Sequence, residues 1–131
     1  VEIRTHSRGE TTMRFLCIYK PGKPETDRFT PPSQEEMAAM GKLIGEMQEA
    51  GVFISAEGCL PTSMGARVRN DGGNFIVTDG PFAETKELIS GMCMIHVSSK
   101  EEAIAWAKRF LAVVGGGTSE ILQLHETPAC G

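Results

Sequence analysis

The chain has 131 residues, 40% of them hydrophobic and 23% charged, with a net charge of −4. That length fits one core flanked by helices rather than two independent cores, and the composition excludes a wholly disordered chain. The 13 Lys and Arg residues are scattered rather than gathered into a stripe, which argues against nucleic acid as a partner. Cys17, Cys59, Cys93 and Cys130 are far apart in sequence, with no C-x-x-C pair and no short His/Cys cluster. They read as free thiols of a cytoplasmic protein, with no metal and no cofactor expected. Nor does any run of about 18 apolar residues occur, so no membrane segment is expected. Residues 1–12 read as a polar arm, native or foreign, ahead of a single domain at 13–126.

Met13–Lys20 is rich in strand formers and is broken by Pro21-Gly22. Ser33 and Glu36 stand at capping-box spacing and open a helix to about Ala50, which Gly51 stops. Met37, Met40, Ile44 and Met47 recur at helical steps and read as a core stripe. A second strand is expected over Val52–Cys59, then a hairpin around Asp71-Gly72-Gly73 joining Arg67–Arg69 to Asn74–Thr78. Ser90–Val97 is almost continuously apolar, which places it at the centre of a sheet with both faces buried. Ser98 and Ser99 precede Glu101 and Glu102 and open a second helix to about Val113, with Ile104, Ala107 and Leu111 on one stripe. Gly115-Gly116-Gly117 ends that helix, and Ser119–His125 gives a last strand.

The order is β-α-β, hairpin, β-α-β, an α+β pattern of the ferredoxin-like split βαβ kind with an inserted hairpin. Right-handed crossovers put both helices on one side of the sheet. The other side is expected to be covered by a second copy, giving a homodimer. Burying about 800 Å² per partner there would contribute roughly 20 kcal/mol per subunit before association costs. A small-molecule cavity is expected beside the packed sheets.

Several residues carry candidate chemistry. Asp79, at a strand end before Gly80-Pro81, is either a general acid or base facing a cleft or an Asx-type cap that holds its own turn. Glu57 is placed on one strand face with Phe53, Ser55 and Cys59, where it could add a second carboxylate. Lys86, between Glu84 and Glu87, and Arg67 with Arg69 on the hairpin could bind an anionic substrate or sit as solvated charge. His96 has the side chain for proton transfer near neutral pH, though a histidine in an apolar strand also serves as a core residue. The glycine run at 115–117 follows a helix and lacks a lysine after it, which distinguishes it from a phosphate loop.

The segment Val77-Thr78-Asp79-Gly80-Pro81-Phe82-Ala83-Glu84-Thr85-Lys86-Glu87-Leu88-Ile89-Ser90-Gly91 closely resembles the DGPF branch of the YCII-related family. The similarity extends from Met13 to about His125, through Ala50-Gly51-Val52, Glu57-Gly58-Cys59-Leu60-Pro61 and the helix from Ser99. The resemblance implies a ferredoxin-like fold assembled as a dimeric α+β barrel. It also implies an ancestry among small-molecule isomerases and lyases, and for some DGPF proteins a link to extracytoplasmic-function sigma factors. The His-Asp pair of the wider family does not carry over, because the first helix contains no histidine.

Overall fold

The computed structural model describes residues 12–23, 31–81 and 87–126. The elements run β1 (Met13–Lys20), α1 (Gln34–Glu49), β2 (Phe53–Gly58), β3 (Ala66–Asp71), β4 (Asn74–Asp79), β5 (Gly91–Val97), α2 (Lys100–Val114) and β6 (Thr118–Gln123). The protein is α+β, with two helices and two antiparallel sheets. The larger sheet has the order β2-β5-β1-β6, and β3 and β4 form a separate two-stranded sheet.

Local chemistry starts and stops each helix. Ser33 Oγ accepts the Glu36 amide while Glu36 reaches back to the Ser33 amide, so two orphan donors of the first turn are satisfied reciprocally. At α2 the Ser99 hydroxyl accepts from the Glu102 amide, and the Glu102 carboxylate accepts from both the amide and the hydroxyl of Ser98. That bonding is what permits Glu102 to be only 6% exposed. Gly115, at φ 84°, takes the left-handed conformation that ends α2.

Both helices feed one core cluster with one parity of the strands: Leu43 and Met47 of α1 and Ala103 and Trp106 of α2 meet Phe15, Ile95 and Val97. They therefore lie on the same side of the large sheet. On α1 Leu43 and Met47 are buried and Met40 and Ile44 partly so, whereas Met37 is 58% exposed because it lies in the first turn, ahead of the sheet contact. On α2 the stripe centres on Ala103, Trp106 and Phe110, and Ile104 is turned outward. One indole ring covers more sheet than the aliphatic positions and sets the rotation of the helix.

β5 and β1 are the central strands, as the apolar run of β5 requires. On the side away from the helices, register aligns Met92 with Ile18, Met94 with Leu16, and Leu16 with Leu122. Met92 is 40% and Leu122 50% exposed, so one chain covers only one face of its sheet. Arg14, Lys20, Glu57 and Glu120 stand on the same open face, where Lys20 pairs with Glu120 at 2.9 Å.

The hairpin β3–β4 turns through Gly72 and Gly73, both at positive φ, and the Gly73 amide donates to Asn70 Oδ1. Asp71 belongs to the strand rather than to the turn, and every residue of both strands is exposed.

Candidate functional site

The helix layer and the sheet enclose a cavity of about 300 Å³. Its inner wall is almost wholly apolar and includes Met40, Leu43, Met47, Phe53, Trp106 and Phe110. Of the lining residues, Ala56, Glu57, Gly58 and Met92 are exposed, which puts the mouth where β2 ends and β5 begins. Gly91 is required there, because a Cβ on it would lie 2.9 Å from the Glu57 carbonyl oxygen. Tyr19, paired with Gly91 at the same end of the sheet, walls the β1 side: its hydroxyl donates to the Gly116 carbonyl at 3.0 Å, and its ring meets Phe110 edge-on at 5.2 Å.

Cys17 and Cys93 also line the cavity, and register sets them directly opposite each other on the two central strands. Burial pushes the Cys17 thiol up to about 12, with the neighbouring Cys93 adding to the shift, and burial alone pushes Cys93 to about 11. Both stay protonated and poorly nucleophilic near neutral pH. Trp106 is 3% exposed, its indole N–H has no acceptor among the described residues, and the Arg109 guanidinium lies 5.1 Å from its ring centroid.

A consequence can be read by alkylation and peptide mapping. At mildly alkaline pH, iodoacetamide is expected to label exposed Cys59 and to leave Cys17 and Cys93 unmodified in the native protein. Rapid labelling of Cys93 would contradict the packing. Because both folded-state values exceed the unfolded thiol's 9.0, the native state retains protons longer than the unfolded chain. Stability from these groups is thus intact below pH 9.0 and falls as pH climbs through 9.0 toward 11 to 12.

The sequence-derived candidates are not brought together. Glu57 lines the mouth of the cavity, exposed, so it carries no cost of burying an isolated charge. It does not share a face with Phe53: the register shifts between Phe53 and Ser55, leaving Phe53 opposite Ile95 and Ser55 and Glu57 opposite Met94 and Met92. A β-bulge there reverses the alternation. Asp79 is exposed at the end of β4, opposite Ala66, and is not among the cavity-lining residues. Arg67, opposite Thr78, is also on the exposed hairpin. His96 is half-buried on the open sheet face beside Arg14, and its amide donates to the Val52 carbonyl at 2.8 Å. Lys86 and Glu84 lie outside the described residues. Among the described residues no three His, Cys, Asp or Glu side chains gather as metal ligands, and no helix is long and apolar enough to cross a membrane.

The family model for the YCII-related domain matches residues 13–124. The chain belongs to the YCII-related family. A curated relative, an uncharacterized protein of Rhizobium meliloti (strain 1021), is 42% identical over 60 residues, covering 46% of this chain and 48% of the relative. The match thus spans about half the length of each. The family match takes in every strand and helix that builds the cavity, from Met13 to Gln123.

Proposed function

We propose that this YCII-related protein binds a small, neutral, mostly apolar organic compound in the cavity between its helix layer and its sheet. The observation that carries this reading is the lining itself: about 300 Å³ walled by aromatic, methionine and protonated thiol groups, with Glu57 at the mouth on the strand parity that faces away from the helices. A charged ligand would lose its hydration there without gaining a partner, whereas a ring compound would exchange water for close contact.

The assembly we favour is a homodimer in the cytoplasm, built on a ferredoxin-like layout of the DGPF branch. The strand order β2-β5-β1-β6 with crossover helices after β1 and β5 supports that layout, with β3–β4 as the inserted hairpin. Leu16, Ile18, Met94 and Leu122 make the open sheet face apolar, and two such faces packed together would form a dimeric α+β barrel. The face also carries two cations, Arg14 and Lys20, against two anions, Glu57 and Glu120, so two copies of a chain of net charge −4 meet there without net repulsion.

A second reading, in which Asp79 acts as acid or base in a lyase or isomerase reaction, keeps its basis in the strand-end position before Gly80-Pro81. The binding reading is preferred because Asp79 does not line the cavity of its own chain.

The single tryptophan, Trp106, is a built-in reporter on the cavity wall. Titration with 4-nitroanisole, a neutral ring compound that quenches indole emission, is expected to give saturable quenching and a raised Tm. Ala107→Leu, which adds bulk at the cavity wall, is expected to weaken the probe by about tenfold or more. Quenching that rises linearly without saturation, or an affinity untouched by Ala107→Leu, would refute the proposal.

A further inference from the structure

We infer that the β3–β4 hairpin is a dimer arm: the apolar face of each hairpin lies on that of a second copy, and Phe75 of each fills a hollow at the base of the other. The inference goes beyond the sheet-to-sheet dimer proposed above and rests on its being a dimer.

The register of the hairpin divides its residues between two faces. Ala66, Val68, Phe75 and Val77 share one face with Asn70 and Asp79, while Arg67, Arg69, Asp71, Asn74, Ile76 and Thr78 take the other, where Ile76 is the one large apolar side chain and is less exposed than Phe75, Val68 or Val77. Nothing among the described residues covers the first face: Phe75 is 72%, Val68 65% and Val77 64% exposed. A two-stranded ribbon with one apolar side is marginal in water on its own, so this face calls for a partner.

Where the hairpin joins the body there is a hollow of about 440 Å³, lined by Cys59, Leu60, Met64 and Ile89 and continuous with the apolar face through Ala66. Leu60 is 61% and Met64 71% exposed. Phe75 cannot reach the hollow of its own chain. It stands four residues up β4 from Asp79, about 14 Å away along the strand, on a ribbon whose opposite end forms the rim.

A twofold axis that lays two hairpins antiparallel, apolar face on apolar face, brings each tip over the other's base. Ridge then meets hollow twice, the reciprocal pattern of an isologous interface. On the contact face the strands carry one charged residue, Asp79, at the base, so in the antiparallel arrangement the two aspartates stand at opposite ends of the contact rather than against each other. A ribbon of two six-residue strands, about 20 Å long, is too small to supply the about 800 Å² per partner of a standard interface, so the arm adds to another contact rather than replacing it.

Two measurements test this on the full chain. In sedimentation equilibrium, Phe75→Ser is expected to raise the dimer Kd by about 30-fold or more with an unchanged circular dichroism spectrum. Under mild oxidation by copper-phenanthroline, Phe75→Cys is expected to give a disulfide-linked dimer through the partner's Cys59, and the additional change Cys59→Ser should abolish it. An unchanged Kd for Phe75→Ser, or cross-linking independent of Cys59, overturns the inference and leaves the face to another protein or a lipid surface. Leu16→Glu separates this from the sheet contact. A dimer lost with Leu16→Glu but kept with Phe75→Ser removes only the hairpin arm, and the converse removes only the sheet contact. A monomeric wild type removes both.

Discussion

Phe15→Ala is expected to lower the unfolding free energy by about 3–5 kcal/mol, a large share of the about 5–15 kcal/mol a domain of this size has. Phe15 is 2% exposed on central strand β1, opposite Ile95 of β5 and Gln123 of β6, and it packs in the cluster that Leu43, Met47 and Trp106 complete from the helices. Removing the ring deletes contacts to both layers at once, and strands hydrogen-bonded on both sides cannot collapse into the gap. Urea unfolding should show the loss as a lower midpoint with the slope preserved. A loss below about 1 kcal/mol would mean that the two layers do not close on this ring.

Gly80→Ala is expected to cost about 3 kcal/mol and to loosen the hairpin at its base. A Cβ at Gly80 would lie 1.6 Å from the Thr62 carbonyl oxygen and 2.4 Å from its carbonyl carbon. Both obstacles are backbone, so neither can turn aside as a flexible side chain would. The same contact region holds the Gly80 amide on the Gly65 carbonyl at 3.2 Å, fastening the end of β4 to the turn that precedes β3. Gly41→Ala gives the opposite sign: on helix α1, with nothing within 4 Å of its added Cβ, it is expected to stabilise by about 1 kcal/mol. Equal midpoints for the two variants in thermal unfolding would contradict the close approach at Gly80.

The contrast between those glycines shows which parts of this fold are local. Caps at Ser33 and Ser99, the stop at Gly115, the turn at Gly72-Gly73 and the apolar run of β5 each depend on a few adjacent residues, and the sequence displays all of them. The order β-α-β, hairpin, β-α-β follows from these signals. Features that depend on partners distant in the chain are hidden. The bulge between Phe53 and Ser55 exists only relative to β5, and without it Glu57 is assigned to the wrong face of its strand. The opposition of Cys17 and Cys93 comes from a β1–β5 register that joins residues 76 positions apart. Trp106 lies off the stripe of Ile104, Ala107 and Leu111, yet its size turns α2 and builds the cavity wall.

The candidate site was legible only in part, for the same reason. Glu57 is a residue of the cavity mouth, but its side chain takes the parity of Met92 rather than that of Phe53. Asp79, Arg67 and His96 are polar residues in recognisable positions, but polarity alone does not say which face of the sheet encloses space. The enclosed side is the helix side, whose lining of methionines, aromatics and thiols reads in sequence as ordinary core. One signal was available: both sulfhydryls fall on the same parity as Phe15 and Ile95, so either strand's alternation predicts that the thiols face the helices.

A crystal structure of the protein soaked with 4-nitroanisole tests the central claim most directly. Electron density for the compound is expected between the sheet and the helices, in contact with Cys93, Met47 and Phe110. Density confined to the open sheet face or to the surroundings of Asp79, with the helix-side cavity filled by its own side chains, would contradict it.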